Sequence, residues 1–135
     1  MAKLVLNNAS VTVNSVDLSD YVTQVTIVTD VNEVPTTAMG DTAITRVGGL
    51  KDSSISIDWQ QDYAASKVEA TLYPLIGSTT TIVVKAVDAA VSVTNPSYTM
   101  TALIASHSPV AGAVGELSTF SVTYPISGEI TKATS

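Results

Sequence analysis

Residues 53–59 read S-S-I-S-I-D-W, with Ile55, Ile57 and Trp59 at every second position and Ser54, Ser56 and Asp58 between them. Successive side chains of a strand point to opposite faces, so a period of two predicts a half-buried strand with one apolar and one polar surface. Residues 21–29, Y-V-T-Q-V-T-I-V-T, alternate in the same way and place Val25 and Ile27 on one face. β-branched runs at residues 3–6 and 11–16, parted by Asn7, Asn8, Ala9 and Ser10, predict an opening hairpin. Asp17, Ser19 and Asp20 follow as a polar corner. Further strands are predicted at residues 79–87, 97–106 and 116–124, the last aligning Phe120, Val122 and Tyr124.

The period changes over residues 62–77, where Val68, Leu72, Leu75 and Ile76 fall at the i, i+4, i+7, i+8 spacing of an amphipathic helix. Asp62 suits its N-cap and Gly77 its stop, while Pro74 ends regular helix near Tyr73. Residues 126–135, I-S-G-E-I-T-K-A-T-S, are small and polar and read as a frayed tail. The sum is one mainly β domain over residues 1–135, an antiparallel β-sandwich or barrel with one flanking α-helix.

Residues 30–52, D-V-N-E-V-P-T-T-A-M-G-D-T-A-I-T-R-V-G-G-L-K-D, fit neither period and read as a loop-like arm between two strands. Compact domains seldom keep a structureless connection of roughly twenty residues without a use for it. The arm holds no Cys, His, Trp or Tyr, and its charges are too scattered for catalysis. It reads instead as a contact arm toward neighbouring subunits, with Val34, Pro35, Thr37, Met39, Asp41, Ile44, Arg46, Val47 and Leu50 as the candidate contact residues. Arg46 would reach a carboxylate on another subunit or pair within the chain with Asp41 or Asp52. Gly48 and Gly49 suggest a left-handed turn closing the arm.

Composition sharpens this picture. Charged residues are 13% of the 135, about half the usual share, so neutral Ser and Thr cover much of the surface and copies repel one another weakly. Sparse charge also leaves sheet edges unguarded, which suits edges that other subunits cover. A net charge of −6 with six Lys and Arg disfavours phosphate-neutralising DNA binding. Such an acidic wall is one that DNA would slide past. Without cysteine there are neither disulfides nor thiolate metal sites. No signal peptide is visible, and the longest apolar runs are strand-length, so no membrane insertion is expected.

The inventory for catalysis is thin. His107 is the single histidine and reads as a surface or core residue, because its sequence neighbours are Ser106 and Ser108 rather than distant triad partners. Asp17 with Asp20 and Asp58 with Asp62 lack calcium-loop spacing and read as turn and capping groups. Gly48 and Gly49 lack the Lys and Ser or Thr of a phosphate loop. Trp59 reads as a core anchor, with Tyr63 beside it, rather than as a sugar platform. A non-enzymatic protein without catalytic, cofactor-binding or metal-binding residues is expected.

In order along the chain, V-D-L-S-D-Y at residues 16–21, T-A-M-G-D at 37–41, G-G-L-K-D at 48–52, D-W-Q-Q-D-Y before the helix and P-V-A-G-A-V-G-E-L-S-T-F-S-V-T near the end resemble the major tail, or tail tube, protein of long-tailed non-contractile bacteriophages. The resemblance covers nearly the whole chain. It implies a structural virion protein, made and assembled in the bacterial cytoplasm, whose six copies form a ring with inner strands joined in one barrel. Such rings stack into the tail tube that conducts the genome into the host. The implied partners are further copies of the chain, the tape-measure, tail terminator and baseplate or tail-tip proteins, and double-stranded DNA passing without adhering. A capsid decoration or other β-sandwich binding or display module is the alternative.

Overall fold

The computed structural model describes residues 8–134. Eight strands are found among them: β1 (Ser10–Val13), β2 (Val16–Asp17), β3 (Val22–Pro35), β4 (Arg46–Gln60), β5 (Thr79–Lys85), β6 (Ser97–Leu103), β7 (Thr119–Pro125) and β8 (Thr131–Ala133). One short helix, α1 (Val68–Leu72), joins β4 to β5. The strands form two antiparallel sheets, one ordered β2-β1-β5-β6-β8 and the other β3-β4-β7. The expected antiparallel β-sandwich with a flanking helix is therefore the observed fold.

The core follows from the alternation that predicted it. Ile55, Ile57 and Trp59 of β4 are fully buried, and their register partners Tyr124, Val122 and Phe120 on β7 point to the same side. Val11, Val13, Ile82 and Met100 close the layer from the other sheet, with Val68 and Leu72 of α1 and the corner residue Leu18 at its rim. Each such side chain contributes about 1.5–3 kcal/mol when fully buried. Burial pushes the Tyr124 phenol up to about 12. The indole N–H of Trp59 opposes this weakly, lying near the phenol without good hydrogen-bond geometry.

Four predicted elements differ. The long helix is reduced to Val68–Leu72 followed by a 3₁₀ turn, Tyr73–Leu75. Asp62 does not cap it: its carboxylate accepts the Ala64 N–H at 2.9 Å, and the left-handed Ser66 (φ +60°) keeps the chain non-helical until Lys67. Gly77, at φ +84°, ends the segment as expected. The opening hairpin is instead β1–β2, turning at Asn14 and Ser15, while the run at residues 3–6 lies outside the described residues. The closing segment is not a frayed tail: Ile126 is buried, and β8 pairs with β6 as the sheet edge.

The largest difference concerns residues 30–52, which are not a loop. β3 and β4 run on through them as paired strands, interrupted by one register shift between Val31 and Glu33, so that only residues 36–45 lie beyond the strands.

Candidate functional site

The β3–β4 hairpin leaves the sandwich as a two-stranded ribbon. β7 accompanies β4 only from Ser54 to Gln60, so beyond Thr29 and Ser53 no further strand lies beside the hairpin among the described residues. Every residue from 28 to 52 is exposed. Isolated two-stranded ribbons are marginal in water, and this one survives by continuing strands already anchored in the core through Val25, Ile27, Ile55 and Ile57.

Local chemistry shapes its end. At the tip the Thr36 N–H donates to the Thr45 carbonyl at 2.9 Å, and their hydroxyls meet at 2.7 Å. Asp41 Oδ2 accepts the Ala38 N–H at 2.7 Å, closing a turn that needs Gly40 at φ +93°. Lower down, Val31 pairs with Lys51 and Glu33 with Gly48, so Gly49 and Leu50 together oppose Asn32 in a β-bulge. Neither glycine is left-handed; they serve close approach. A Cβ on Gly49 would lie 3.0 Å from both the Asn32 carbonyl and a Val34 methyl.

The predicted contact residues therefore sit together on one projection. Val34 and Val47 face each other across the ribbon, on the side opposite Ile27 and Val31. Leu50 at the bulge and Ile44 and Met39 in the tip are further exposed apolar side chains, Met39 at 102%. Pro35 ends β3, and Thr37 accepts the Thr45 N–H at 2.9 Å. Arg46 pairs with neither Asp41 nor Asp52 but with Glu33, Nε to Oε2 at 3.5 Å, because the register puts both on the Val31 side. Asp30 and Asp52 are direct register partners, a like-charge pair that disfavours the ribbon.

Two further surfaces were not singled out from sequence. The outward face of β4 and β7 carries Ser54, Ser56, Asp58, Ser121 and Thr123, with the Ser56 and Thr123 hydroxyls 2.9 Å apart. No Lys or Arg is among the strand residues of that face. The second is the β6–β7 connection, with Val110, Val114 and Leu117 exposed. Its base is pinned: the His107 side chain is buried, its Nε2 is 2.8 Å from Glu69 Oε2, and its ring stands edge-on to Phe120. Gln61 Nε2 donates to Glu69 and to the Pro109 carbonyl, which also accepts the Tyr63 hydroxyl. Trp59 is the core anchor expected, whereas Tyr63 is exposed.

Among the described residues no three His, Cys, Asp or Glu side chains gather where a metal could be held. No described helix is long and apolar enough to cross a membrane.

No protein-family model and no curated protein matches the sequence. Among solved structures, the fold is similar to that of a chain from the virion of a native gene transfer agent particle, with a TM-score of 0.74 and 13% identity, covering 93% of this chain and 95% of that one. The two chains share an architecture almost from end to end.

Proposed function

We propose that this protein is a structural virion subunit of a phage-like particle, polymerising head to tail into stacked hexameric rings that form a tail tube. The observation that carries the reading is the uncovered ribbon: paired strands with Val34, Ile44, Val47 and Leu50 exposed gain their burial from another molecule. The likeness to a gene transfer agent virion chain supports a virion role. A ribbon that meets a different surface on the next copy makes a heterologous contact, which generates rings or open helical stacks. Free edges of β3 and β7 could then join neighbouring copies into a continuous wall. The hydroxyl-bearing, cation-free face of β4 and β7 suits a lumen past which DNA moves without adhering. Tape-measure, terminator and tail-tip proteins would cap and measure such a tube.

Negative-stain microscopy of the purified protein should show rings or tubes. A protein that stays monomeric at high concentration, even with tail initiators and the length-setting protein supplied, would overturn the reading.

A further inference from the structure

On the flank where β3 and β8, the edge strands of the two sheets, come together, a groove is lined by Ile27, Thr29, Tyr98, Ile130 and Lys132. Its volume of about 460 Å³ is far more than the ~30 Å³ of a single water, so it has room for side chains. Ile27, Tyr98 and Ile130 are half-buried and continuous with the core. Lys132 at the rim is exposed and has no ion-pair partner among the described residues, whereas the neighbouring Lys51 is engaged by Glu129 at 3.0 Å. The groove is thus an apolar floor with one open cation beside it.

The hairpin tip carries the complement. Over residues 36–45 the only charge is Asp41, and the large apolar side chains are Met39 and Ile44, both exposed. Asp41 Oδ2 accepts the Ala38 N–H, and Oδ1 has no hydrogen-bond partner among the described residues. Methionine is unbranched and polarisable, suited to filling an irregular hollow and to lying against an aromatic ring such as Tyr98. We propose that the hairpin tip of one copy seats in this groove on the next, with Met39 and Ile44 against Ile27, Tyr98 and Ile130 and the Asp41 carboxylate against the Lys132 ammonium. This rests on the reading of the chain as a polymerising subunit and adds the receiving surface.

The tip cannot reach the groove of its own chain. Thr29 forms part of the groove wall, and the strand continues from it through the bulge at Asn32 to Pro35, up to about 20 Å further at ~3.3 Å per residue. Folding back would break the register pairs from Asp30–Asp52 to Pro35–Arg46. Each copy therefore offers one tip and one groove in different places, the requirement for an open chain of contacts.

The absence of native cysteine gives a clean test. In Met39→Cys/Ile130→Cys protein, oxidised under assembly conditions, a disulfide needs Cα atoms within about 7 Å. A ladder of covalent multimers is expected, with each single variant giving dimers at most. Rings or tubes without a ladder would overturn the groove while leaving the polymer reading intact, and a cross-linked monomer would overturn it equally. Failure of the unmodified protein to form rings or tubes would instead remove the polymer reading itself. Should the double-cysteine protein not assemble, charge exchange decides: Lys132→Glu should raise the concentration needed for assembly about tenfold, and adding Asp41→Lys should restore it. No recovery in the exchanged pair would sink the contact.

Discussion

Replacing residues 31–51 by a two-residue Asn-Gly turn between Asp30 and Asp52 separates what the hairpin does for folding from what it does for assembly. The excised stretch contains no buried residue, so no core contact is lost. It removes Glu33 and Asp41 together with Arg46 and Lys51, leaving the net charge at −6. The two ion pairs removed, Arg46–Glu33 and Lys51–Glu129, are exposed and contribute at most about 1 kcal/mol each. The expected change in unfolding free energy is within about 1 kcal/mol, or a shift of about 4 °C in Tm for a domain of this size. Ile57→Ala, which empties a fully buried position, should by contrast cost about 2–5 kcal/mol. Assembly should respond in the opposite order. Val34, Ile44, Val47, Leu50 and Met39 are worth ~1.5–3 kcal/mol apiece when fully buried, so losing two of them from a subunit contact weakens association by about 10²–10⁴. Calorimetry gives the first quantity, and sedimentation with electron microscopy the second. A shortened protein that melts as low as Ile57→Ala, or that still forms tubes, would refute the reasoning.

Other outcomes follow from single sites. Gly49→Val should distort the bulge, because its Cβ would press on the Asn32 carbonyl; loss of assembly with an unchanged melting temperature of the body is expected. Asp52→Asn relieves the pairing with Asp30 and should slow proteolysis of the hairpin while stabilising it by a few tenths of a kcal/mol, roughly. His107→Ala leaves a void between Glu69 and Phe120 and should cost about 2–3 kcal/mol while exposing the β6–β7 connection to protease, read by limited digestion. The Ser19 hydroxyl, and then its N–H, hold the Asp17 carboxyl below its ordinary value. A depressed folded value means stability that is present above the unfolded pKa and lost as pH falls through the folded one, so acid should loosen this corner and Ser19→Ala should raise the Asp17 value in an NMR titration.

The inner half of β4 was legible because one of its faces is buried: Ile55, Ile57 and Trp59 had to be apolar and their neighbours did not. The outer half, R-V-G-G-L-K-D, has no buried face and so no alternation to read, and Pro35, Gly48 and Gly49 argue locally against a strand. Its extended state is imposed by cross-strand pairing that begins in the core. The same reason hid β8, a polar edge strand whose evidence lies in its partner β6. Helix spacing over Val68 and Leu72 was correct, but it could not reveal that the Asp62 carboxylate would fold a turn rather than cap a helix. The enclosure of His107 was invisible because Glu69 lies 38 residues away.

One strand of the ribbon, β4, is also the central strand of the smaller sheet. A pull on the tip therefore runs along the covalent backbone of β4, past Leu50 and Ser53, into the seven-residue ladder with β7. Antiparallel hydrogen bonds lie perpendicular to the strands, so this load falls on all of them at once in shear instead of peeling them singly. A joint made through the hairpin would be mechanically continuous with the interior of each subunit, and tension along a row of such joints would be carried by the cores themselves.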